Sequence, residues 1–161
     1  MRRALLLIWA GTAIPFVLTI INGGPDGWLP HLLFHPAYVA FLALALWGVR
    51  KLRSISGSTV VRGLAAVLAV TAVAAVAGHL GEFVAVLLNG GLKANLTAFE
   101  TPLHRWSATV TVPAVLLAIV LAAVLSVAAA RTTRRMPVGL QAVDAQRNLG
   151  AGTDARSRGG S

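Results

Sequence analysis

Between Gly63 and Leu88 the chain reads GLAAVLAVTAVAAVAGHLGEFVAVLL, 26 residues that contain one carboxylate and no Lys or Arg. A helix rises about 1.5 Å per residue and the hydrocarbon layer of a bilayer is about 30 Å thick, so about 20 apolar residues suffice to cross it. The stretch reads as a membrane-spanning α-helix. Three further apolar runs are long enough, over residues 4–22, 32–49 and 103–130. The expected fold is an all-α integral membrane four-helix bundle over residues 1–135. A disordered cytoplasmic tail is expected over 136–161, where Gly, Ala, Arg, Ser and Asp prevail and helical periodicity is absent.

Composition points the same way. Of 161 residues, 57% are hydrophobic and only 12% charged, about half the charged fraction of an ordinary soluble domain. A net charge of +9 on a soluble protein would point to nucleic acid, but 12 of the 14 basic residues lie in the N-terminus, the segment joining the second and third runs, and the tail. That distribution is a topology signal, and no nucleic-acid partner is expected. The absence of Cys excludes disulfides, thiolate metal sites and thiol redox chemistry.

Orientation follows from the same charges. Arg2 and Arg3 precede the first run, Arg50, Lys51, Arg53 and Arg62 join the second to the third, and Arg131, Arg134 and Arg135 follow the fourth. The other two connections carry only Lys93 and Arg105. All three basic regions belong in the cytoplasm, which requires an even number of crossings and puts both termini inside. Trp28 and Trp106 then fall at the outer interface and Trp47 at the inner one. The opening Arg2-Arg3 and apolar run differ from a secretory signal peptide in length and in lacking a small-residue cleavage site, so the first run is read as retained. Arg outnumbers Lys twelve to two and Ala, Val, Leu and Gly dominate, as in proteins of GC-rich bacterial genomes. The expected location is the bacterial plasma membrane, the inner membrane where there are two.

Asp26, Glu82 and Glu100, together with His31, His35, His79 and His104, all fall on the outer side of this topology. An ionisable group inside a span costs about 2.5–3.5 kcal/mol on insertion scales, so it faces protein or a wet cavity and marks a candidate site. His79 and Glu82, three residues apart, share a face of the third span. Ala74, Gly78, Gly81 and Ala85 form a ridge of small residues beside them, where another helix can approach closely. On the fourth span Thr101-Pro102 reads as an N-cap followed by proline at the first helical position, with His104, Ser107 and Thr111 recurring on one face. Thr19 and Asn22 on the first span and Tyr38 on the second complete an expected outer-leaflet polar cavity. His31 and His35 read as interfacial residues, with His35 also a further ligand candidate. Asp26, within Gly24-Pro25-Asp26-Gly27, reads as a turn residue.

Three readings follow. In the first, His79 and Glu82 form a polar knot that fixes helix register, and the protein is a structural or accessory membrane subunit that meets lipid and another membrane protein or itself, with no cofactor. In the second, His79, Glu82, His104 and Glu100, with His35, hold a transition metal, or two histidines hold haem b, in a membrane redox protein. The di-iron Glu-x-x-His pattern is not met, because the order here is His79-x-x-Glu82 and it occurs once. His79 and His104 are expected roughly 10 Å apart in depth, at about 1.5 Å per residue, which makes His35 with His79 the better haem pair. In the third, the staggered groups form part of a proton or cation path, although the inner halves of the third and fourth spans offer only Thr71 and Ser126 as hydroxyls. Ser-His-Asp triads, phosphate loops and HExxH are absent. An enzyme is not expected, and only Glu82 and His79 could serve one as acid and base. The Arg50–Arg53 segment reads as a topology signal attracted to anionic lipid, at about 1 kcal/mol per basic residue.

Overall fold

The computed structural model describes residues 1–21, 28–91 and 100–134, within which every regular element is helical. The helices are α1 (Arg2–Ile21), α2 (Trp28–Ile55), α3 (Thr59–Leu88) and α4 (Pro102–Arg134). Three segments, Leu33–Ile55, Thr59–Leu88 and Pro102–Arg134, are long and apolar enough to cross a membrane. Asn22, Asp26, Lys93 and the segment 135–161 lie outside the described residues, as do the side chains of Thr19, Trp28 and His31.

Two helices outrun their apolar stretches. Arg50, Lys51 and Arg53 lie on α2 and Arg62 on α3, so the connection between these helices is only Ser56-Gly57-Ser58. Arg and Lys are good helix formers, so charge can end a lipid-compatible stretch without ending the helix. What begins α3 is a cap: Ser58 is extended, and its hydroxyl accepts from the Val61 amide at 3.4 Å. At the start of α4 the anticipated cap is present, with the His104 amide donating to Thr101 Oγ1 at 3.4 Å and Pro102 at the first helical position. Pro15, Pro36 and Pro113 all lie inside helices. Each removes a backbone donor that another group must replace.

The chain divides into two compact units, Met1–Ala128 and Ala129–Ser161. The described part of the second unit is the end of α4, where Thr133 Oγ1 donates to the Ala129 carbonyl at 3.1 Å. The candidate site lies in the first unit.

In that unit α1 packs on α2 and α2 on α3. Glycine sets the α1–α2 approach: a Cβ on Gly11 would overlap the Ala45 amide and the Phe41 carbonyl of α2, and such backbone proximity is what small residues permit between apolar helices. The indole of Trp9 on α1 donates to Ser126 Oγ on α4 at 3.0 Å. Leu42, Ala72, Ala75, Ala114 and Val115 form a buried core across α2, α3 and α4, flanked by Phe16 of α1. The interior holds many alanines beside Ile8, Leu42, Leu52, Leu68 and Leu125, while rows of large apolar side chains also point outward: Val67, Val70 and Val73 on α3, and Leu116, Leu117, Val120 and Val124 on α4. A water-soluble helix protein leaves few such apolar rows exposed.

Candidate metal centre

Four ionisable side chains from three helices meet in the interior: His35 of α2, His79 and Glu82 of α3, and His104 of α4, all buried. Their convergence follows from local rules. The three-residue spacing of His79 and Glu82 puts both on the face of α3 toward its neighbours. The ridge between them and α4 is real: a Cβ on Gly78 would overlap Thr111 Oγ1 and lie 3.1 Å from the Thr111 amide nitrogen, and one on Gly81 would overlap Ser107 Oγ. With α4 this close, the stripe His104, Ser107, Thr111 lies along the His79–Glu82 face.

Glu82 is the hub. Its Oε2 faces His35 Nε2 at 3.9 Å and His104 Nε2 at 3.7 Å, and its Oε1 lies 4.0 Å from His79 Nδ1. The same Oε1 accepts the Thr111 hydroxyl at 2.5 Å. One potential ligand atom each from His35, Glu82 and His104 lie within 4.8 Å of one another. Geometrically, three atoms so spaced have a common point no more than about 2.8 Å from each, so inward shifts of under about 1 Å bring them to the 2.0–2.2 Å of metal–imidazole and metal–carboxylate bonds.

The surrounding contacts suit that use. His35 turns its other nitrogen to His79, Nδ1 to Nδ1 at 3.3 Å. A metal-binding imidazole commonly has its second ring nitrogen held by a neighbour, which fixes tautomer and orientation. Tyr38, one turn along α2 from His35, packs on the His79 ring with centroids 4.3 Å apart. Thr111 holds the Glu82 oxygen that faces away from His35 and His104. Thr111 Oγ1 also lies 2.9 Å from the Ser107 carbonyl, so its one proton has two acceptors within reach.

Of the residues singled out in the sequence, His79, Glu82, His104, Thr111, Ser107 and Tyr38 are gathered here, and His35 joins them as a central member. The His35 side chain is only 2% exposed. Pro36, next in sequence, does not end α2, which carries His35 into the packed interior. Glu100 is not part of the cluster. It precedes the Thr101 cap, is exposed, and borders a surface groove with Arg105 and Trp106. Glu82 faces both His79 and His104, at 4.0 and 3.7 Å. Sequence reasoning missed the α1–α2 glycine contact, for which isolated Gly11 and Gly48 within apolar helices were the available signal.

No protein-family model, curated protein or solved structure matches the chain.

Proposed function

We propose that this chain is an integral membrane protein of four spans, with both termini cytoplasmic, that binds a divalent first-row transition metal through His35, Glu82 and His104. The membrane placement is supported by three helices of spanning length and composition, by the outward-facing Val and Leu rows and by the distribution of Arg and Lys. The four helices form a bundle in this reading, with α1 as the remaining span, and the bilayer is the first partner.

One observation carries the metal assignment: buried side chains from three helices, His35, Glu82 and His104, bring potential ligand atoms within 4.8 Å of one another. Glu82 Oε2 stands 3.9 Å from His35 Nε2 and 3.7 Å from His104 Nε2, a spacing that suits atoms on either side of an ion with bonds near 2.0–2.2 Å. Two imidazoles and one carboxylate form the donor set of non-haem ferrous and of catalytic zinc sites, which retain open coordination positions. His79 and Thr111 act as orienting partners. Haem fits less well: axial bonds near 2.0–2.1 Å separate two ligating nitrogens by about 4 Å, whereas His35 and His79 touch at 3.3 Å with no room for a macrocycle between them. A transmembrane proton path gains no support from the inner half, where Thr71 bonds to the Val67 carbonyl and Ser126 to Ala122 and Trp9.

The test is metal content after purification in mild detergent without chelator. Wild type is expected to retain or take up about one ion per chain, as a mononuclear site holds, and Glu82→Gln and His35→Ala are expected to lose it while remaining helical. Metal-free wild-type protein that also takes up no added Zn(II) or Co(II) overturns the assignment.

A further inference from the structure

At the other end of the α2–α3 pair, beside the Ser56-Gly57-Ser58 connection, an open surface cavity of about 390 Å³ is bordered by Arg50 and Arg53 of α2 and Arg62 of α3, with Leu46, Val49 and Ala69 among its walls. The residues occur in register. On α2, positions 46, 49, 50 and 53 follow helical spacing along one stripe that runs from apolar to basic toward the helix end. On α3, positions 62 and 69 are two turns apart on one face, basic near the helix start and apolar farther in. Because the two helices are joined by three residues, the basic ends of both stripes adjoin and the apolar parts adjoin beyond them.

Nothing nearby in sequence neutralises the arginines. No Asp or Glu occurs between Asp26 and Glu82, so neither α2 nor the first five turns of α3 supplies a carboxylate. Lys51 is directed elsewhere, its ammonium 4.6 Å from the centre of the Trp47 ring. Three guanidiniums, which bind phosphate through paired N–H donors, thus stand over an apolar wall that continues along the spans. A free anion would use the rim alone. A glycerophospholipid uses rim and wall together, with phosphate among the arginines and an acyl chain against Leu46, Val49 and Ala69.

We infer that this cavity is a binding site for an anionic phospholipid of the cytoplasmic leaflet, with Arg50, Arg53 and Arg62 holding the headgroup phosphate. The inference shares the membrane placement with the proposed function and is independent of the metal.

The test is native mass spectrometry of delipidated protein in neutral detergent, titrated with phosphatidylglycerol or phosphatidylcholine of identical chains. Wild type is expected to prefer phosphatidylglycerol by at least tenfold. At about 1 kcal/mol per basic residue, or about fivefold each, the variant R50Q/R53Q/R62Q should lose most or all of that preference. The variant R2Q/R3Q/R131Q removes the same charge elsewhere and should retain it. Circular dichroism checks that both remain helical, and single Arg→Gln variants with graded losses replace the triple variant if it does not. Equal binding of the two lipids, preference surviving in R50Q/R53Q/R62Q, or equal loss in both triple variants overturns the inference. Displacement of the lipid by millimolar inorganic phosphate would also overturn it, by showing that the rim alone is the site.

Discussion

Thr111→Val removes one hydroxyl from the candidate centre while preserving the branched shape that packs against Gly78. In the wild type that hydroxyl donates to Glu82 Oε1 at 2.5 Å in a buried setting, where water cannot substitute for it. Hydrogen bonds to charged groups contribute a net ~1.5–3 kcal/mol, and losing a partner that orients a metal ligand typically lowers metal affinity 10–100-fold, or ~1.4–2.7 kcal/mol. The two ranges overlap, so Thr111→Val should weaken Zn(II) binding by about 10–100-fold without abolishing it. Competition with a chromophoric chelator in detergent measures this directly, and Thr111→Ser, which keeps the hydroxyl, should stay within about threefold of wild type. Unchanged affinity in a helical Thr111→Val protein would refute the assignment of Glu82 as a ligand oriented by Thr111.

Further outcomes follow from the same geometry. Replacing His79 with Phe keeps a ring against Tyr38 but removes the nitrogen that holds His35, and should weaken Zn(II) binding by roughly 10–100-fold in the same titration. Because imidazole binds metal only after shedding its proton, affinity should fall as pH is lowered from 8 to 5, and more steeply in wild type than in His104→Ala, which a pH series of the chelator assay would show. Glycine-to-alanine variants should rank by what the new methyl meets, as read by thermal unfolding in detergent. Gly11→Ala, against α2 backbone, should be the most damaging, and Gly78→Ala, against Thr111 and the Ser107 carbonyl, should follow. Gly81→Ala, against the Ser107 hydroxyl and, at 3.1 Å, the Ser107 Cβ, should destabilise less than Gly78→Ala because no backbone atom is met, while Gly63→Ala, with nothing within 4 Å, should gain up to about 1 kcal/mol from helix propensity.

Much of the architecture is legible in the sequence because a few local rules decide it. Long apolar runs mark helices in a chain with so little charge, Thr101-Pro102 marks a helix start, and the Gly78/Gly81 ridge marks where a neighbour lies. The helix ends are harder to read, because arginine stops an apolar run without stopping a helix, and only the Ser58 cap defines where α3 begins. Within the site, His79 and Glu82 stand out by their spacing on a single helix, which sequence displays directly. His35 ranks too low in sequence because Pro36 reads locally as a break, whereas the helix continues through it. Glu100 ranks too high because nearness in sequence to His104 stands in for nearness in space. The cap at Thr101 turns α4 inward and leaves Glu100 outside. The arginine cavity is invisible in sequence as a cavity, since it depends on the pairing of two stripes across a hairpin whose turn is shorter than the apolar runs imply.

X-ray absorption at the zinc edge of zinc-loaded protein reads the coordination of an ion held among His35, Glu82 and His104. An ion in that place gives two imidazoles and at least one oxygen at about 2.0–2.2 Å, with imidazole scattering reduced in His35→Ala and in His104→Ala. A shell of oxygens alone, or imidazole scattering unchanged in both variants, would contradict it.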